Sequence, residues 1–141
     1  MAGIKVLIAD DESHVTYMLA MKFKRPEVEV LTANDGEEAY RLACTHRPNL
    51  IVTDFQMPVL TGYEMAVKLR ENVETTNIPL IMLTGRGHRL SPTDLAKTNI
   101  QHLVPKPFSA RDLLERAAEF ISVYQNNAVD VRCGRTGTTA A

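Results

Sequence analysis

The run Leu50-Ile51-Val52-Thr53-Asp54, followed by Phe55-Gln56-Met57-Pro58, constrains the fold more than any other stretch. Its apolar and β-branched residues read as a buried strand. Pro58 then forces the chain to turn, so the strand delivers one carboxylate, Asp54, at its far end. Other strand-like runs end in the same way. Ile4-Lys5-Val6-Leu7-Ile8-Ala9 leads into Asp10-Asp11, Leu80-Ile81-Met82-Leu83 leads into Thr84, and Leu103-Val104-Pro105 leads into Lys106. In an open parallel sheet flanked by helices, ligands bind outside the carboxyl ends of the strands, where the strand order reverses. Three carboxylates, a hydroxyl and an ammonium are therefore expected to meet in one pocket.

Helical signals fill the gaps between these runs, the pattern of a parallel α/β sheet rather than a sandwich. Ser13 can cap a helix with Val15, Met18, Leu19 and Phe23 on one face, stopped by Pro26. Val28 to Ala33 reads as a second strand. Asp35 and Glu38 then stand at capping-box spacing ahead of Ala39, Leu42 and Ala43, in a helix expected to end near Pro48. Thr61 and Glu64 repeat that spacing before an apolar stripe of Met65, Ala66, Leu69 and Val73. Gly85, Arg86, Gly87, His88 and Pro92 predict a mobile loop, with a short helix over 93–98 after it. Ser109 and Asp112 cap a last helix carrying Leu113, Leu114, Ala117, Phe120, Ile121 and Tyr124. Beyond about Gln125 the apolar period fades. The expected organisation is one domain over 1–125 and a disordered tail over 126–141.

Composition narrows the function. At 141 residues, 45% of them hydrophobic, the chain has material for one well-packed core. With 16 basic against 17 acidic residues it carries no basic field for nucleic acid, so direct nucleic-acid binding is not expected. Cys44 and Cys133 lack metal spacing, and His14, His46, His88 and His102 share none. No apolar run approaches the ~20 residues of a membrane span. A cytoplasmic protein with reduced thiols and no membrane contact is expected.

Clustered carboxylates repel one another and raise one another's pKa unless a cation compensates. All-oxygen ligands select Mg²⁺, which takes one or two carboxylates and leaves room for phosphate oxygens. Lys106 supplies a point charge and Thr84 a donor for those oxygens. The set suits phosphoryl transfer, with Asp54 as the carboxylate nucleophile.

Asp10-Asp11, Asp54 with Met57-Pro58 and Gly62, Thr84, and Lys106-Pro107-Phe108 occur in the order that resembles the receiver domain of two-component response regulators, over roughly residues 4–124. The resemblance implies an open five-stranded parallel sheet in order 2-1-3-4-5 with five helices, a flavodoxin-like receiver fold. It further implies that Asp54 is the phosphoacceptor, fed by a sensor histidine kinase or a phosphotransfer domain. Mg²⁺ would be held directly by Asp11, Asp54 and the backbone carbonyl of Gln56, with Asp10 acting through a metal-bound water. Thr84 and Lys106 would hold the phosphoryl oxygens, and Lys106-Pro107 would be cis. The chain is expected to be a stand-alone, chemotaxis-regulator-like signalling module, not an enzyme acting on a metabolite, with its signal leaving through a separate downstream partner.

Two features depart from that pattern. Leu103 stands where most receivers have an aromatic switch residue, so output is expected to depend on Thr84 and the 85–92 loop. Thr98-Asn99-Ile100-Gln101 replaces the usual small-residue turn. Gln56 and Arg86 are expected to obstruct the hydrolytic water and lengthen the phosphorylated state. The rival readings are a phosphorylation-independent interaction module (a pseudo-receiver) and an aspartyl-nucleophile phosphohydrolase. The second lacks a general acid, since Gln56 stands two residues after Asp54. No Gly-x-Gly-x-x-Gly follows the first strand, which argues against a dinucleotide site.

Overall fold

Strand and helix alternate through the described residues: β1 (Ile4–Ala9), α1 (Ser13–Phe23), β2 (Val28–Ala33), α2 (Gly36–His46), β3 (Leu50–Asp54), α3 (Gly62–Glu71), β4 (Leu80–Thr84), α4 (Pro92–Ala96), β5 (Ile100–Pro105) and α5 (Ala110–Cys133). These elements come from a computed structural model that describes residues 3–85 and 89–133, with side chains described as far as Ile121. The strands form one parallel sheet in the order β2-β1-β3-β4-β5. The order expected from the sequence is the one observed. It reverses between β1 and β3, whose carboxyl ends carry Asp10 and Asp54.

Both faces of the sheet are buried, which explains the unbroken apolar run of β3. Val6, Ile8, Val52, Ile81 and Leu83 pack with Leu19 and Phe23 of α1 and Leu113 and Ala117 of α5. Leu7, Ile51, Leu80 and Met82 face the other way, onto Ala39 and Ala43 of α2 and Met65 and Leu69 of α3. Truncating one of the fully buried leucines to alanine costs about 2–5 kcal/mol in such a setting. This double-sided core holds the strand tips, and hence the site, on a rigid frame.

The helix starts follow the predicted caps with one exception. Asp35 accepts from the Glu38 N–H, and Thr61 and Glu64 form a reciprocal capping box. Asp112 donates its N–H to Ser109 Oγ at 3.2 Å. Ser13, however, is the first helical residue of α1 rather than its cap. Glu12 holds the cap position without a side-chain bond, and its N–H donates to Asp10 Oδ1 at 2.9 Å. The Asp10 carboxylate thus fixes the residue before α1, while the first turn of the helix has no side-chain cap.

Three boundaries also move. Val73 lies beyond α3 and is 83% exposed. Asn72 Oδ1 accepts from the Glu74 N–H and Thr75 Oγ1 donates to the Leu69 carbonyl, so local polar groups take over the bonds that would continue the helix. The short α4 starts at Pro92 because Ser91 and Asp94 form a second reciprocal capping box with Pro at the first helical turn. Finally, α5 runs past Gln125 to Cys133. From Ala110 to Cys133 there is no Gly or Pro to break it, and Gly134 is the first. The tail from residue 134 and the predicted loop residues Arg86, Gly87 and His88 lie outside the described residues.

Candidate functional site

The strand tips bring the predicted residues together. Asp10 follows β1, Asp54 ends β3, Thr84 ends β4, and Lys106 follows β5. Asp54 pairs with Leu83 in register, so Thr84 stands one residue further along the neighbouring strand. The Thr84 carbonyl accepts from the Lys106 N–H at 2.7 Å, tying the two tips together. Lys106-Pro107 is a cis peptide bond.

Lys106 Nζ stands 3.0 Å from Asp54 Oδ1 and 3.9 Å from Asp10 Oδ2. Carboxylate oxygens of Asp10, Asp11 and Asp54 all lie within 4.8 Å of one another. Asp10 and Asp54 are buried whereas Asp11 is exposed, so the cluster reaches from the interior to solvent. Among the described residues this is the one cluster of potential metal ligands, and no histidine or cysteine joins it. Thr84 is buried beside it. Gln56 lies in the loop two residues after Asp54 with its side chain exposed.

Electrostatics show how far the lysine falls short of neutralising the cluster. Burial pushes the Asp10 carboxyl up to about 6, aided by the nearby Asp54 and Asp11 charges and opposed by the Glu12 N–H and Lys106. Burial also raises Asp54, against its hydrogen bond to Lys106. For Lys106, burial opposes the charge, but the hydrogen bond and charge of Asp54, with Asp10, outweigh it and raise the pKa. Asp10 Oδ2 is buried with no hydrogen-bond partner. One ammonium thus faces two buried carboxylates, and an orphaned oxygen points to a missing positive charge. A hard divalent cation fits this all-oxygen donor set.

The backbone around Asp54 is tightly set. Phe55 donates its N–H to the Leu83 carbonyl at 2.9 Å, Gly62 donates to the Phe55 carbonyl at 2.8 Å, and Thr53 Oγ1 donates to the Asp54 carbonyl at 3.0 Å. Between these anchors Val59 adopts φ 71°, closing a tight turn in which the Leu60 N–H donates to the Pro58 carbonyl.

Sequence reasoning missed the pair Phe55 and Tyr63. Their rings stack with centroids 6.5 Å apart and planes 22° apart, and Tyr63 OH donates to the Asp94 carbonyl of α4 at 2.9 Å. Neither contact has a local sequence signature, since Tyr63 and Asp94 are far apart in the chain.

Fold and site together define a doubly wound α/β domain with an acidic pocket and one lysine at the topological switch point. The chain belongs to the response regulator receiver domain family, whose model matches residues 6–118. It is similar to the transcriptional regulatory protein SrrA of Staphylococcus aureus, with 32% identity over 126 residues that take in 89% of this chain and 51% of SrrA. The chain thus spans about half the length of the curated relatives it matches. Among solved structures, the Francisella response regulator 1452 receiver domain aligns with TM-score 0.74 and 28% identity, covering 86% of this chain and 99% of that one. The chemotaxis response regulator CheY4 of Vibrio cholerae aligns with TM-score 0.74 and 29% identity, covering 84% and 98%. The domain is a signalling module of a two-component system. Among the described residues no helix is long and apolar enough to cross a membrane.

Proposed function

We propose that the domain accepts a phosphoryl group on Asp54 from a phosphohistidine of a sensor kinase or phosphotransfer domain and signals through a separate protein partner. The observation that carries this reading is the buried Asp54 carboxylate held 3.0 Å from Lys106 in a cluster with Asp10 and Asp11. In the transfer, an Asp54 oxygen forms a bond to phosphorus as the P–N bond of the donor histidine breaks, and the leaving imidazole takes up a proton. Lys106 orients the Asp54 carboxylate beforehand and then offers its ammonium to the transferred oxygens, with the Thr84 hydroxyl as a second donor. Asp10, Asp11, Asp54 and the Gln56 carbonyl would hold Mg²⁺, which when bound neutralises charge on the phosphoryl oxygens. Gln56 in place of a general acid argues against turnover of free phosphate esters.

The reading is tested by incubating the chain with a phosphohistidine donor and Mg²⁺, reducing with borohydride and mapping the product. Reduction of an acyl phosphate at residue 54 to homoserine supports it. Label confined to another residue, or none while the fold stays intact, favours a phosphorylation-independent interaction module.

A further inference from the structure

Two aromatic rings link the backbone next to the phosphoacceptor to the helix that follows β4. Phe55 immediately follows Asp54, and its N–H and carbonyl are both held, by Leu83 and Gly62. Its ring stacks on Tyr63 in the first turn of α3. The Tyr63 hydroxyl reaches out of α3 to the Asp94 carbonyl at 2.9 Å, a part-buried bond. Burial and the Asp94 charge push the phenol up, so it stays a donor throughout the ordinary pH range. α4 has five residues, none of them buried. With no buried side chain of its own, α4 is held in shape by the Ser91–Asp94 box at its start, which is internal to it, and is tied to α3 by the Tyr63 bond at its middle.

The ring in β5, His102, meets Phe120 of α5 edge-on with centroids 5.8 Å apart and pairs with Ile81, on the opposite face of the sheet from Leu103. Leu103 pairs with Met82, on the sheet face that packs against α2 and α3, and is 37% exposed. A half-exposed leucine has neither a hydrogen bond to exchange nor a ring to swing.

We infer that Tyr63 is a positioning residue that relays the state of Asp54 to α4: a shift of the Phe55 backbone moves the stacked pair and makes or breaks the Tyr63 bond to Asp94. This rests on the proposed phosphorylation of Asp54. The bond is the two-state element; the stack selects its state. Tyr63→Phe keeps the ring and removes the bond, whereas Phe55→Leu keeps the bond and removes the stack.

The test is hydrogen exchange of the α4 backbone amides in the native chain, Tyr63→Phe, Phe55→Leu and the double variant. Each is measured with and without beryllium fluoride and Mg²⁺ as a phosphoryl mimic, and phosphoryl transfer from a small phosphodonor is followed in parallel by intact mass. For the native chain, exchange is expected to differ about fivefold or more between the two states. In each single variant this difference falls below about twofold, and the double variant loses no more than the singles, as for groups acting in one chain. A merely structural role would change α4 exchange equally in both states. Equal responses in native and Tyr63→Phe chains, or an absent α4 response in a native chain that accepts phosphoryl, overturn the relay and leave the phosphoacceptor reading standing. A native chain that accepts no phosphoryl overturns both.

Discussion

Gly62 packs so closely on Asp54 that a Cβ at Gly62 would overlap the Asp54 carbonyl oxygen and press to 3.1 Å from Thr53 Oγ1. The start of α3 is therefore seated directly on the end of β3 at Asp54, and the Gly62 N–H seals the contact by donating to the Phe55 carbonyl. Gly62→Ala must push α3 away or shift Asp54. It is expected to cost about 1–3 kcal/mol of stability, measured by urea denaturation, and to slow phosphorylation of Asp54. A variant as stable and as readily phosphorylated as the native chain would contradict this packing.

Asp10, buried with no hydrogen bond to its Oδ2, makes stability depend on pH in a defined direction. Its folded pKa, about 6, is raised above the ordinary 3.8. The folded chain thus holds the proton more tightly than the unfolded chain does. The stability this contributes is present in full below about pH 4 and is lost as pH rises through 6, a change of about 3 kcal/mol. Asp10→Asn removes the titration. In chelator, the variant should match the native chain near pH 4 and exceed it at pH 7, compared by denaturant midpoints. A variant less stable than the native chain at pH 7 would show that Asp10 is not an uncompensated charge.

Val59 carries backbone strain on an exposed site. It is 74% exposed, so its side chain adds little packing, while φ 71° is disfavoured for a β-branched residue. Val59→Asn is expected to stabilise the metal-free chain by about 1 kcal/mol, read from thermal unfolding. A loss of stability would mean that Val59 makes contacts its exposure does not suggest.

The strand tips were legible because two independent signals coincide there. Unbroken apolar runs such as Leu50–Val52 mark strands buried on both faces, and a polar residue straight after each run has only the carboxyl edge of the sheet to occupy. That reasoning brought Asp10, Asp54, Thr84 and Lys106 to one edge. Choices between competing local bonds were not legible. Ser13 has the side chain of a cap, but the folded chain starts α1 at Ser13 with Glu12 before it, whose N–H is taken by Asp10 Oδ1. Val73 continues the helical period from Leu69, but Asn72 and Thr75 bond the backbone first. The Tyr63 bond to Asp94 depends on where α4 packs, and no pattern within either segment encodes that.

Leu103 bears on how the domain signals. With Leu103 37% exposed, Leu103→Ala is expected to cost under about 1 kcal/mol and to leave the phosphorylation-dependent change in α4 exchange intact. If that change vanished while folding and phosphorylation persisted, β5 rather than Tyr63 would carry the signal.

The decisive measurement is intact-protein mass after exposure to a small phosphodonor, on the native chain and Asp54→Asn, each with Mg²⁺ and with chelator. Asp54 is the buried carboxylate bonded to Lys106, so a single phosphoryl increment is expected on the native chain with Mg²⁺, and none on Asp54→Asn or in chelator. An increment that persists in Asp54→Asn, or a folded native chain that takes up none, would contradict Asp54 as the phosphoacceptor.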